Sequence, residues 1–241
     1  MRMYYSAVEA VKEIERELFE FGINNQSFSV QDINVKDNSD YDSKELINYG
    51  YVITEFGDIE EIIDFFFSQE EAKNIRGYCQ KELEERIGSL PLNPGLSWLY
   101  RKEYWERFIH KGKLAYTYSE RMCYQLYKVI NELKHSPGSR QCIITIYDVH
   151  KDLPNWGGKE RIPCSLHYHF IRRKISGTYY IFMSYVMRSC DFYSHFPVDL
   201  WLGVNLGLYI SNQLGDKLHS FTHFIGSLHA FAKDFNKKRI F

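Results

Sequence analysis

Residues 161–199 decide how this chain is read: RIPCSLHYHF (161–170), a charged turn (171–176), GTYYIFMSYVMRSC (177–190) and DFYSHFPVD (191–199). Alternating aromatic and β-branched residues on either side of the turn predict two strands. The first run sets Cys164 directly after Pro163, where the β-rich segment begins. The second closes on Arg188, Ser189, Cys190 and Asp191, and Asp199 follows eight residues after Asp191. As chemistry these are a thiol, a cation beside a carboxylate, and a second carboxylate. A thiolate nucleophile needs nearby positive charge to lower its pKa, and Arg188 is one source. A buried structural cysteine in a strand fits the same residues.

Pro163-Cys164 on one strand, Met187-Arg188-Ser189-Cys190-Asp191 on the next, and Gly226-Ser227-Leu228-His229 near the end resemble the thymidylate synthase family in order and spacing. The pyrimidine (dCMP/CMP) hydroxymethylase branch is the closer match, and weaker similarity covers nearly the whole chain. The resemblance implies an α+β fold, a mixed β-sheet with helices packed on it, and a homodimer whose interface is a sheet face.

Length and composition set outer bounds. The 241 residues suffice for one domain, 1–241, with a large core. Aromatics make up 17% of the chain, which argues for a folded interior over disorder. A net charge of −1 gives no overall attraction to nucleic acid or an anionic membrane, so a small anionic ligand needs a local Arg cluster. Five cysteines without a CxxC pair suit reduced thiols better than a disulfide framework. With no signal-like segment and no apolar run of membrane length, the expected setting is the cytoplasm.

Apolar residues at helical spacing predict a helix from Ser6 to Phe21, stopped by Gly22. Residues 23–45 read as loop. Leu46–Glu55 reads as a strand with Gly50 as a possible bulge. Helices are expected over Gln69–Ile87, around Met122–Leu133, and over Pro197–Gln213. Strands are expected over Cys142–Tyr147 and Phe221–Ser227. In a regular strand Cys164 faces away from His167 and His169, so no zinc site is expected and no metal is assigned.

The resemblance then implies roles. Glu82, in KELEER, is similar to the family's catalytic glutamate, although the Trp that normally follows is absent and a solvated helix face reads the same way. Trp105 resembles the Trp lining the folate and nucleotide cleft, and Tyr118 a tyrosine that assists proton transfer; aromatic core is the alternative for both. Arg188 and Ser189 correspond to phosphate-binding positions, Asp191 to the folate-contacting carboxylate, and His229 to a sugar-contacting histidine. A buried Arg188–Asp191 pair is the alternative. Arg140 matches one of two arginines that reach the partner's phosphate, with Gln141 in place of the other. Lys36 is the candidate for a phosphate cation from the early loop, and a solvated lysine is its alternative. His169 stands where the family has Gln, and Phe231 where it usually has a sugar-binding Tyr. Phe makes no such bond, which opens the way to ribose.

Asp199 falls where thymidylate synthases place an Asn that reads uracil. An amide donates to O4 and accepts from N3–H. Cytosine inverts that edge, and a carboxyl group accepts from its amino group and, when protonated, donates to N3. A helix-start carboxylate is the alternative. The resemblance thus implies one-carbon transfer from 5,10-methylenetetrahydrofolate to C5 of CMP or dCMP. Cys164 is bound to C6 during the reaction and water completes it, a course that suits the short C-terminal end after His229. The expected partners are a pyrimidine nucleoside monophosphate, folate and a second copy of the chain. A dUMP-methylating synthase and an inactive nucleotide-binding homologue remain as alternatives.

Overall fold

A seven-stranded mixed sheet carries the molecule. The computed structural model describes residues 1–27, 29–30, 33–155 and 161–238. Its strands are β1 (Arg2–Tyr4), β2 (Ile23–Asn25), β3 (Ser29–Val30), β4 (Ile33–Asn34), β5 (Ser43–Ile53), β6 (Cys142–Thr145), β7 (Ser165–Ile175), β8 (Thr178–Asp191) and β9 (Lys217–Phe231). Its helices are α1 (Ala7–Phe21), α2 (Glu61–Phe66), α3 (Gln69–Ile87), α4 (Lys102–Trp105), α5 (Tyr118–His135), α6 (Val149–Asp152), α7 (Phe196–Leu214) and α8 (Ala232–Lys238). The fold is α+β, with strand order β1-β5-β9-β8-β7-β6 and β2 added to β5. Strands β8 and β9 run parallel, so they need a crossover, which α7 supplies.

The four expected helices form as α1, α3, α5 and α7, and their caps show why. Ser6 accepts from Glu9 N at the start of α1, and Ala10, Val11, Ile14 and Leu18 make its buried stripe. Ser68 and Glu71 close a capping box on α3, as Thr117 and Glu120 do on α5, each such cap contributing about 1 kcal/mol. Helix α7 has Pro197 in its first turn and ends at Gly215, whose φ of 69° is the left-handed conformation that glycine adopts freely.

Strand boundaries were less legible. β9 extends well beyond the expected 221–227 because both of its edges are paired, which draws polar residues such as Lys217 and His229 into the ladder. Residues 23–45 hold β2, the β3–β4 hairpin and a 3-10 turn at Ser39–Tyr41. Their short, polar and mostly exposed character leaves no period to read.

The row of the sheet next to the cleft is irregular, and Gly50 is not on it. Gly50 pairs regularly with Phe224. Asn48 is the residue with positive φ, 52°, and it lies level with Gly226 and Arg188 across β5, β9 and β8. A Cβ on Gly226 would sit 2.7 Å from the Arg188 carbonyl oxygen, so glycine is required there. The buried alternation slips by one at this row. In β8 it runs Ile181, Met183, Tyr185 and Met187, then Cys190; in β9 it runs Phe221, His223 and Ile225, then Leu228 and Ala230. Beyond the slip the strand ends line a cleft.

Strand parity around Cys164 is not regular either. Cys164 precedes β7, and a bulge separates Ser165 from His167 against β8. His167 and His169 pair with Thr145 and Ile143 on β6. No helix among the described residues is long and apolar enough to cross a membrane.

Candidate active site

The C-terminal ends of β8 and β9, the first turn of α7, the second half of α3 and the segment 94–119 enclose a cleft of about 470 Å³. Glu82, Trp105, Tyr118, Cys164, Arg188, Ser189, Asp191, Asp199 and His229 all line it. These sequence-selected residues come from distant parts of the chain and meet in one place. Arg140 is outside the cleft, exposed in the turn before β6, where its carbonyl accepts from His169 Nε2 at 3.1 Å. Lys36 is also exposed and outside it.

One stripe of α3 delivers Glu82. Ala72, Ile75, Tyr78 and Cys79 bury its apolar part, and the same face continues as Glu82, Glu85 and Arg86. Arg86, 3% exposed, donates from Nε to Glu82 Oε1 at 2.9 Å and from a terminal nitrogen to the Tyr168 hydroxyl at 3.2 Å. Its guanidinium lies 3.8 Å from the centroid of the Tyr118 ring. Ser97 Oγ donates to the other Glu82 oxygen at 2.8 Å. Glu85 accepts from the Ser97 backbone N–H at 3.0 Å and so fixes the loop that carries Ser97. The Tyr118 hydroxyl shares a hydrogen bond of 2.8 Å with Ser165 Oγ, which in turn meets Tyr185 at 2.5 Å.

Cys164 is half-buried in the cleft. Arg188 ties the cysteine segment down by donating to the Pro163 carbonyl at 2.9 Å and the Ile162 carbonyl at 3.3 Å. A terminal Arg188 nitrogen stands 3.7 Å from the sulfur. The sequence pointed to Arg188 as an activating cation. Burial nevertheless dominates and pushes the thiol up, with Arg188 and Arg161 pulling it back and Asp199 adding to the rise. The free protein therefore holds a thiol poised between two guanidiniums.

Asp191 accepts from Tyr193 N at 3.1 Å and Ser194 N at 3.2 Å, which fixes the turn into α7. Asp199 then falls in the first turn of α7, where Cys190 Sγ approaches its Oδ2 at 3.6 Å. A helix start favours an anion. Here burial outweighs that and raises the Asp199 carboxyl to about 6, against opposing pulls from Arg86, the Cys190 thiol and Arg101. His195 is driven down to about 3, first by burial and then by Arg101, so it is a neutral imidazole facing the Tyr104 hydroxyl at 3.2 Å.

Arg161 also lines the cleft, 4.3 Å from the Trp105 ring centroid and 4.7 Å from that of Phe108. Trp105 Nε1 is buried and without a hydrogen-bond partner. An orphaned donor in an aromatic wall suits a planar heterocycle with ring acceptors, such as a pterin.

A family model for thymidylate synthase matches residues 95–239, more than half of the chain. The chain belongs to the thymidylate synthase family. No match was found among curated protein sequences. Membership assigns the chain to the folate-dependent one-carbon transferases that act on a pyrimidine nucleotide, with methylenetetrahydrofolate as the family's one-carbon donor. The orphaned Trp105 donor and the aromatic wall beside Asp191 fit that group.

Sequence reasoning missed Arg86, Ser97, Arg101 and Arg161. Arg86 did leave a signal, since it stands four residues after Glu82, the spacing at which opposite charges pair on a helix. Ser97 and Arg101 reach the cleft on a 3-10 turn that carries no periodic pattern.

Proposed function

We propose that this member of the family hydroxymethylates a cytidine monophosphate, CMP or dCMP, at C5. The one-carbon unit comes from 5,10-methylenetetrahydrofolate and water completes the reaction, giving 5-hydroxymethyl-(d)CMP. The observation that carries this reading is Asp199, a carboxyl group on the cleft wall raised to about 6. A carboxyl that takes up a proton at about pH 6 donates, in its protonated form, to cytosine N3 through one oxygen and accepts from the exocyclic amine through the other. It presents the wrong pattern to uracil, whose N3 is itself a donor.

In this reading Cys164 bonds to C6 of the pyrimidine and makes C5 nucleophilic. Methylenetetrahydrofolate supplies a carbon at the oxidation level of formaldehyde. Glu82 orders the attacking water and Tyr118 assists proton transfer, supported by its bond to Ser165. Arg188 and Ser189 take the phosphate, and His229 the sugar. Asp191 and Trp105 hold the pterin. Arg140 serves the phosphate site of a second copy in a homodimer built on the sheet face away from the helices, where Ile143 is 44% exposed. Residues 1–241 act as one domain.

The reading is tested by incubating the protein with CMP, dCMP or dUMP and methylene-labelled folate, then weighing the nucleotide product. A cytidylate heavier by CH₂O, 5-hydroxymethylated, is the expected result. A methylated uridylate would overturn the base assignment.

A further inference from the structure

The cleft holds two carboxyl groups in different circumstances: Glu82 is paired with a buried cation and Asp199 is not, among the described residues. Glu82 has both oxygens engaged, one by Arg86 and one by Ser97. Among the described residues Asp199 has no salt-bridge partner, and the Cys190 thiol is its side-chain neighbour. Two carboxyl groups held so differently in one site can take different roles.

We propose that Arg86 is a positioning residue for the water-addition step, fixing Glu82 as the base that takes the water proton and leaving Asp199 as the carboxyl that meets the nucleobase. This rests on the hydroxymethylase reading above. A purely structural origin for the pair is a poor account of it. Burying two ions costs several kcal/mol each before their attraction is recovered, and apolar residues of similar volume stabilise such a position as well or better. The same face of α3 is apolar one turn earlier, at Ile75 and Cys79, and turns ionic only where it reaches the cleft. Arg86 is also held from three sides, by Glu82, the Tyr168 hydroxyl and the Tyr118 ring, so its fork has one orientation.

The step balances as follows. A water oxygen forms a C–O bond to the exocyclic methylene carbon of the nucleotide adduct, and its proton passes to the Glu82 carboxylate. The methylene π pair moves through C5 into the ring. It then returns to form C5=C6 as the C6–S bond breaks and Cys164 departs as thiolate. The proton on Glu82 finally returns to that sulfur or to solvent. Nothing is oxidised or reduced.

Several other groups face Glu82. From its own helix these are Tyr78, Cys79 and Glu85, and from the adjoining 3-10 turn Ser97 and Arg101. Tyr118 faces it from α5 and Asp199 from α7, while Tyr168 on β7 and Tyr185 on β8 lie behind Arg86. Arg101 is the other cation in reach, but its guanidinium lies over the Tyr78 and Tyr104 rings at 5.5 and 5.2 Å. It makes no ion pair with Glu82.

The test compares Arg86→Met, which keeps length without charge, with Arg86→Lys. Single-turnover formation of the 5-hydroxymethyl product is followed from acid to alkaline pH, and nucleotide affinity is measured separately by calorimetry without folate. For Arg86→Met the product rate at neutral pH is expected to fall by about 10²-fold, the usual scale for a disabled general base. Its acidic limb should move to higher pH by about one unit or more, so that the loss shrinks as pH rises. Nucleotide affinity should stay within about fivefold, and Arg86→Lys, which restores the charge without the fork, should recover only part of the rate and leave the limb displaced upward by less than Arg86→Met does. A folded Arg86→Met with an unmoved limb, or with a loss constant across pH, overturns the inference. If Arg86→Met does not fold, Arg86→Lys decides. A limb displaced upward at unchanged affinity supports the inference, and an unmoved limb with a rate within twofold of the native protein overturns it. Absence of product from the native protein with any cytidylate defeats the hydroxymethylase reading itself, which is a different result from native turnover with unmoved variants.

Discussion

The two walls of the cleft are built on opposite plans. On the α3 side, Glu82 is hydrogen-bonded by Arg86 and by Ser97, and Tyr118 by Ser165. On the α7 side, Asp199 is half-buried without a salt bridge among the described residues, and its carboxyl rises to about 6 as a result. The first wall is finished in the free protein. The second is left incomplete in a way that a ligand with matching donors and acceptors would complete. A site that must handle a proton and also recognise a base needs one rigid group and one responsive group, and the sequence supplies a carboxylate for each.

The largest break in the comparison removes what both walls face. Cys164→Ser is expected to abolish turnover, by about 10⁴-fold or more, while leaving nucleotide affinity nearly intact; steady-state assay and calorimetry read the two separately. Next comes the responsive wall. Asp199→Asn should exchange cytidylate for uridylate as the preferred nucleotide, shifting the ratio of kcat/KM values by at least about 10², because the wrong edge leaves buried polar groups unpaired.

The same substitution has a pH signature in stability. The folded protein holds the Asp199 proton more tightly than the unfolded chain, since the carboxyl rises from its ordinary value of 3.8 to about 6. The stability tied to that proton is full below about pH 4 and is lost as pH rises through about 6, a cost of about 2–3 kcal/mol by pH 7. Asp199→Asn escapes the cost. Thermal melts should show it more stable than the native protein above pH 7 by about 5 °C, with the difference vanishing near pH 4. A flat difference across pH would mean that burial does not govern this group.

The smallest effect belongs to the finished wall. Ser97→Ala removes the one hydroxyl donor that Glu82 and Glu85 share, and should cost about 1–2 kcal/mol in chemical denaturation, with a rate loss of roughly tenfold.

The sequence carried the architecture where physics repeats and lost it where physics is local. Helix α1 was legible because its apolar stripe and its stop residue, Gly22, agree. The sheet kink was invisible because it depends on three residues from three strands, Asn48, Gly226 and Arg188, meeting at one level. The site divided in the same way. Cys164, Arg188, Asp191 and His229 sit in compact motifs and were found as such. Glu82 was ambiguous, since a charged stretch such as KELEER is ordinarily a solvated face; its burial depends on the 3-10 turn that brings Ser97 over it. The Arg161 position over Trp105 and Phe108 follows from a long-range approach that no local pattern encodes.

The most direct test of the central claim is tritium release from C5-labelled CMP, dCMP and dUMP, with and without methylenetetrahydrofolate. The account expects folate-dependent release from a cytidylate, abolished in Cys164→Ser, with 5-hydroxymethyl product formed in step. The preferred sugar would then show what Phe231 permits. Release from dUMP alone, or from none of the three nucleotides, would contradict it.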